Sequence, residues 1–341
     1  MATSIEVAPR TSVTPQSRRG LLETLWKNPW VGFLGRRFVG LISVLVALVL
    51  LGFFMVRLVP GDPVVAAFGS EIPASEIERI RGELGLDKPV VEQLTSYVGS
   101  AIHGDFGRSF TTNEPVGDII AARIGPSLIL AGSALAITLV GGILIGMLAA
   151  AWTNNGRHPR SEVAFGGLTS MAGAIPDYVW GTILIFVFAV SLGTLPASGS
   201  GGIEYLILPA FALGLPMVAN IARIVRVETL NVLAQDYTRT ARSERIPGWR
   251  LYLRHALPNV LTATLTTGGL IFAGLIGGAV VVETVFARPG LGSALVTAVT
   301  SMNYPVVQGI ILVLGLSVVL INTFVDVLLG ILDPRTLAKR Q

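Results

Sequence analysis

The sequence predicts an all-α polytopic membrane protein with six spanning helices. Three observations carry this reading: 52% of the 341 residues are hydrophobic, only 13% are charged, and the mean hydropathy is +0.69. Ordinary soluble domains carry about 25% charge, so a chain this poor in charge has lipid for most of its solvent. Soluble enzymes, disordered chains and fibrous repeats are excluded on the same ground.

The elements follow in order. Residues 1–37 read as a basic arm, with Arg10, Arg18, Arg19, Lys27, Arg36 and Arg37 against Glu6 and Glu23. Phe38 to Val56 is the first uncharged run; its 19 residues cover about 28 Å as a helix and set the first span at 38–57. A signal peptide is ruled out because the run is too long and Arg57-Leu-Val-Pro offers no cleavage site. Residues 58–123 form an external helical segment. There Ser75 with Glu78 has capping-box spacing, Val90 to Ile102 follows Pro89 as a second helix, and Val116 to Ile124 forms a short amphipathic helix leading into span two. This segment reads as a small packed cap or as a docking surface for an external partner.

Residues 124–332 hold the other five spans. They are Ile124 to Gly156, Val163 to Leu195 (interrupted by Asp177), Tyr205 to Ala222 (with Pro209 and Pro216 as kinks), Ala256 to Val282, and Val306 to Leu332, which carries Asp326. Gly142-x-x-x-Gly146 and Gly274-x-x-x-Gly278 would let helix backbones approach closely. The positive-inside rule orients the chain. The arm, the turn with Arg157 and Arg160, the connection with Arg239, Arg242, Arg245, Arg250 and Arg254, and the tail 333–341 with Arg335, Lys339 and Arg340 all fall on one side. Both termini are therefore expected in the cytoplasm. From Arg57 to Arg123, ten carboxylates face six basic residues, in keeping with an outside location.

Little in the chain carries chemistry. There is no cysteine, and His103, His158 and His255 are too scattered to hold a metal. No phosphate-cradling Gly-x-x-x-x-Gly-Lys sequence, His-Glu-x-x-His or Gly-x-Ser-x-Gly occurs. Two carboxylates lie within spans, Asp177 and Asp326. Each would cost about 2.5–3.5 kcal/mol at mid-bilayer and should face protein or water. Both are candidates for a translocation pathway, and both are open to a structural reading. Asp177 follows Pro176 at a break in span three, and Asp326 lies near the cytoplasmic end of span six.

The connection 231–258 is the most informative stretch. Span four runs on through Arg223, Arg226 and Glu228, so its helix projects beyond the bilayer. Asp236 then reads as the N-cap of a helix of about eight to ten residues, stopped by Pro247-Gly248. A second basic helix, Trp249 to Leu257, leads back to the membrane.

Seven motifs in order identify a resemblance. Arg57-Leu-Val-Pro-Gly-Asp-Pro, Leu84-Gly-Leu-Asp-Lys-Pro and His103-Gly-Asp-Phe-Gly-Arg-Ser come first. Leu195-Pro-Ala-Ser-Gly, Val282-Glu-Thr-Val-Phe-Ala-Arg-Pro-Gly-Leu-Gly, Tyr304-Pro-Val-Val-Gln-Gly and Leu332-Asp-Pro-Arg follow. From Phe38 to Arg335 the chain resembles the permease subunits of bacterial ABC importers of the dipeptide/oligopeptide/nickel group. The resemblance implies six transmembrane helices in the type I ABC importer permease fold, in the bacterial inner membrane. It also implies that Asp236, Tyr237, Arg239, Thr240, Ala241, Arg242, Arg245 and Gly248 form the family's coupling loop to an ATPase. Here the sequence departs from the family, which usually has glycine where this chain has Arg245; Pro247-Gly248 could supply that turn. The implied partners are a second homologous permease (a heterodimer), two ATPase subunits that carry ATP and Mg, an external substrate-binding protein and membrane lipid, with no nucleic acid. No cofactor is expected on this chain, and no enzymatic site. Di- or oligopeptides are the expected substrate, with nickel or another small solute as the alternative. An ion-coupled secondary transporter would show inverted repeats, and none is legible.

Overall fold

The computed structural model describes residues 29–58, 64–65, 73–83, 87–154, 158–244 and 246–332. Expectations for residues 1–28, Arg157, Arg245, the tail 333–341 and parts of the Arg57 and Leu84 motifs lie outside the described residues. The described chain is all-helical apart from an isolated antiparallel bridge between Arg108 and Pro115. Among the described residues, five helices are long and apolar enough to cross a membrane, and there are up to six spans when one sharply bent pair counts as a single span.

Helix α1 (Pro29–Leu58) starts well before the apolar run. Proline fits the first turn, where its missing N–H costs nothing. Arg36 and Arg37 therefore sit on the helix and not in an arm ending at residue 37. Two shorter helices follow, α2 (Ala74–Glu83) and α3 (Val90–Ile102). Ser75 lies inside α2 and is not its cap, because the Ile77 N–H already donates to Pro73 O at 3.2 Å. The Tyr97 ring of α3 stands 6.1 Å from that of Phe53 on α1, which seats this segment on the first span.

Helix α4 (Val116–Thr153) is continuous, so Val116 to Ile124 is not a separate amphipathic helix. Pro126 removes one backbone donor. Buried Val116 and Ile120, packed in a cluster with Leu291, Val306 and Ile310, hold the turns before it on the same axis. Its 38 residues span about 57 Å, nearly twice a hydrocarbon core of ~30 Å.

The third span is two helices, α5 (Pro159–Ala174) and α6 (Asp177–Leu184), with α6 continuing as a π-helical turn from Ile185 to Ser191. The break at Ile175-Pro176 bends the pair by 96°. A residue before proline is pushed out of helical conformation, and Ile175 is extended at φ −77°, ψ 123°.

Helix α7 (Glu204–Ala234) contains both Pro209 and Pro216 without interruption and forms the centre of the bundle. Leu208, Leu213, Ile221, Val225 and Val232 are buried along it, as expected for a helix that packs against neighbours on several sides. Gly142 and Gly146 of α4 lie directly on α7; a Cβ at Gly146 would meet Ala222 O at 2.6 Å and Val225 Cβ at 2.7 Å. The second small-residue pair is different. A Cβ at Gly274 would meet nothing within 4 Å among the described residues, whereas one at Gly278 would meet Leu213 and Asp177. The short helices α8 (Asp236–Ser243) and α9 (Gly248–Leu251) come next. A π-helical turn from Tyr252 to Ala256 joins α9 to α10 (Leu257–Val285). Helices α11 (Leu291–Thr300) and α12 (Tyr304–Leu332) complete the chain.

Candidate coupling site and the buried carboxylates

A single residue, Gln235, separates the end of α7 from the start of α8. Gln235 between them is extended at φ −68°, ψ 152°, so the cap position belongs to Gln235, whose carbonyl accepts the Thr238 N–H at 3.1 Å. Asp236 is consequently the first residue of the helix and not its N-cap. A carboxylate in the first turn still complements the helix dipole.

One face of α8 is anchored. Thr238 is fully buried and its hydroxyl donates to Val232 O at 2.9 Å. Ala241 is buried with Leu233 of α7 and Leu251 of α9, and Ile246 and Tyr252 pack around them. The Ile246 N–H closes the helix on Ala241 O at 3.2 Å. The other face is open: Asp236, Tyr237, Thr240 and Ser243 are exposed. Arg239 and Arg242 belong to the same two turns. The Tyr237 and His255 rings lie 6.2 Å apart, which brings the start of α8 close to the segment entering α10. Pro247 makes the turn after α8 in extended conformation at φ −63°, ψ 139°, and Gly248 opens α9. Gly248 has no positive φ and, among the described residues, open space around it, so its own backbone conformation does not require glycine.

The two candidate pathway carboxylates occupy different contacts. Asp177 opens α6 directly after the break, accepts the Tyr178 N–H at 2.8 Å and lies against Gly278 of α10. Trp180 Nε1 donates to Ala172 O at 3.1 Å, tying α6 back to α5 across the bend. Asp326 of α12 forms an ion pair with Arg37 of α1, which places a compensating charge beside it and links the first span to the last.

A third carboxylate, not singled out from the sequence, is more deeply buried than either. Glu283, in the last turn of α10, is 0% exposed. Its Oε1 accepts the Ser127 hydroxyl of α4 at 2.5 Å, and its Oε2 accepts the N–H of Gly292 at 2.8 Å and of Ser293 at 3.2 Å. Ser127 Oγ in turn accepts the Leu291 N–H at 2.8 Å. The carboxylate thus satisfies amides at the N-terminus of α11, which otherwise lack partners. A Cβ at Gly290 would strike the Glu283 carboxylate, and one at Gly292 would come within 2.9 Å of Oε2. Those two glycines are required by close approach. The available sequence signal was a single charge closing an apolar run just before Pro-Gly-Leu-Gly.

Near the N-terminal end of α4, Asn303 Nδ2 donates to Ser109 Oγ at 2.8 Å and to Thr111 Oγ1 at 3.0 Å. Its Oδ1 accepts the Phe110 N–H at 3.1 Å. This fully engaged amide pins the turn before α4 to the start of α12.

Comparison with known proteins agrees with this architecture. Residues 142–338 match the family described as binding-protein-dependent transport system inner membrane component, and residues 30–131 match that system's N-terminal membrane component. A Brucella suis biovar 1 protein named as a peptide transport system permease is 39% identical over 302 residues, covering 86% of this chain and 95% of its own. The glutathione transport system permease of Escherichia coli K12 is 39% identical over 300 residues, covering 88% of this chain and 96% of its own. A multi-pass helical bundle with one broken span, matched over nearly its whole length to such proteins, has one identity: the chain belongs to the binding-protein-dependent transport family of inner-membrane proteins, the permease subunits of ABC importers.

Proposed function

We propose that this chain is the membrane-spanning subunit of an ATP-driven importer that moves di- or oligopeptides from an external binding protein into the cytoplasm by alternating access. The observation that carries the reading is α8. It is a short helix fixed on one face by Thr238 and Ala241, open on the other, and joined through Gln235 to the central helix of the bundle. A rigid, exposed helix at the end of a buried one is a lever. ATP binding by two partner ATPases draws two such levers together, one from this chain and one from a second, homologous permease. The cavity between the permeases then opens outward, and hydrolysis resets it. The ATPases hold ATP and Mg; this chain supplies the path and the lever without a nucleotide site of its own. Both termini lie in the cytoplasm, on the side of the arginine-rich connection. The names of the relatives, peptide and glutathione permeases, support a peptide substrate.

Uptake of labelled dipeptides, tetrapeptides and nickel by cells with and without this gene tests the reading. The expected result is loss of peptide uptake, restored by the intact gene but not by a version lacking Asp236 to Arg245. Loss of nickel uptake alone would overturn the substrate class. Reversing the charges at Arg239 and Arg242 is expected to leave the complex assembled and to uncouple uptake from ATP hydrolysis, because arginines on a docking helix pair with carboxylates of the partner.

A further inference from the structure

Helix α5 has an unusually thin apolar hold on the bundle. Thr169 is its one buried residue, while Val163, Leu168 and Met171 are 76%, 66% and 62% exposed. What joins it to α7 is polar. Arg226 of α7, with a side chain only 13% exposed, donates from Nη2 to Glu162 Oε1 of α5 at 2.7 Å. Its Nε donates to Thr153 Oγ1, in the last turn of α4, at 3.0 Å, and its guanidinium carbon lies 5.8 Å from the centre of the Phe165 ring. One turn earlier, Arg223 Nη2 donates to Asn220 Oδ1 at 2.5 Å and Nη1 reaches Ser170 Oγ of α5 at 3.4 Å. A Cβ at Gly173 would sit 3.6 Å from the same Asn220 oxygen. These contacts run along α5 toward Ile175-Pro176, where the span breaks.

Apolar contacts slide, but a guanidinium held by a carboxylate, a hydroxyl and a ring has one register. Arg226 lies eight residues before the end of α7, about 12 Å along the axis from α8. A rotation of α8 is carried rigidly by α7 to this point, and there the polar contacts pass it to α5. We propose that Arg226, through its ion pair with Glu162, is the positioning residue that transmits motion of the coupling helix to the broken third span. The inference rests on the reading of α8 as the coupling helix and adds the route by which its motion reaches Asp177 and α6.

The sequence contains no cysteine, so two can be placed cleanly on either side of the bend. Leu168→Cys on α5 and Phe186→Cys after α6 are both well exposed. With spin labels there, in the complete transporter in nanodiscs, the distance between them is measured without nucleotide and after ATP hydrolysis with ADP trapped by vanadate. The unmutated background is expected to show a distance change. In Glu162→Gln and Arg226→Gln that change should fall by roughly threefold or more, as for loss of a coupling contact. The assembled complex should still hydrolyse ATP, and the double variant should be no worse than either single one. Exposed Glu162 makes E162Q the variant safest for folding. An undiminished distance change in assembled E162Q overturns the proposal. So does the absence of any ATP-driven change in the background, or loss of assembly in both variants, since the contact would then be a folding requirement. A charge reversal at Arg239 in the same labelled chain separates the two levels. If it leaves the distance change intact, the coupling role of α8 fails and the inference fails with it. Peptide uptake does not enter this measurement, so an error in substrate class leaves it unaffected.

Discussion

Replacing Glu283 should dismantle the joint between α10, α11 and α4. In Glu283→Ala three donors lose their acceptor: the buried Ser127 hydroxyl and Gly292 amide and the part-buried Ser293 amide. An orphaned buried group costs about 1–3 kcal/mol. Partial water entry and the exposure of residues nearby reduce the sum, so an overall loss of about 3–5 kcal/mol is expected. Glu283→Gln keeps one oxygen. That oxygen can face the Gly292 and Ser293 amides while the new NH2 faces Ser127, whose hydroxyl proton is then stranded. One orphan in place of three sets the cost at about 1–2 kcal/mol. Unfolding in mixed detergent micelles measures both values, and limited proteolysis between α10 and α12 reports whether the loss is local. If Glu283→Ala stays within about 0.5 kcal/mol of the native chain, the typical effect of an uninvolved surface change, the joint is not what holds α11. The same conclusion follows if Gln is as damaging as Ala.

Three further outcomes follow from the packing. Gly146→Ala should cost about 1–3 kcal/mol by pushing α4 off α7, whereas Gly274→Ala, with open space around it, should gain about 0.5–1 kcal/mol from reduced backbone freedom in the unfolded chain; micellar unfolding distinguishes the two, and equal effects would contradict the close approach. Arg37→Gln or Asp326→Asn should each cost about 1 kcal/mol, since partial exposure screens the pair, and the double variant should cost less than the sum of the singles; full additivity would mean the pair does not interact. Burial of the Tyr97 phenol, which has no hydrogen-bond partner among the described residues, pushes its pKa up to about 12, above the ordinary tyrosine value. Its folded value lies above its unfolded one, so its contribution is complete below about pH 10 and is lost as pH climbs toward 12. Proteolytic protection of α3 should weaken over that window in the native chain but not in Tyr97→Phe, and identical alkaline profiles would contradict the burial.

The spans and the basic connection were legible because they depend on transfer free energy, a property that each stretch of sequence carries in its own composition. Runs such as Phe38 to Val56 declare their solvent without reference to the rest of the fold. The break at Pro176 was legible for a similar local reason, since proline acts on the residue beside it. The helix after Asp236 was also readable, but its cap was displaced by one position, because the conformation of Gln235 is fixed by Thr238 reaching back to Val232 and not by local propensity.

Tertiary structure decided what the polar groups do. Asp326 and Arg37 are nearly the whole chain apart, Asn303 and Ser109 more than half of it, and no periodicity links either pair. Gly146 and Gly274 sit in equivalent small-residue patterns, yet one touches a neighbouring backbone and the other touches nothing. The sequence by itself determined that helices would form, where they would cross and which end would carry the arginines, because hydropathy and helix propensity are local. Which buried carboxylate would meet which amide or guanidinium depended on the three-dimensional packing of α4, α7 and α10, because a hydrogen bond exists only between groups that the fold brings within about 3 Å.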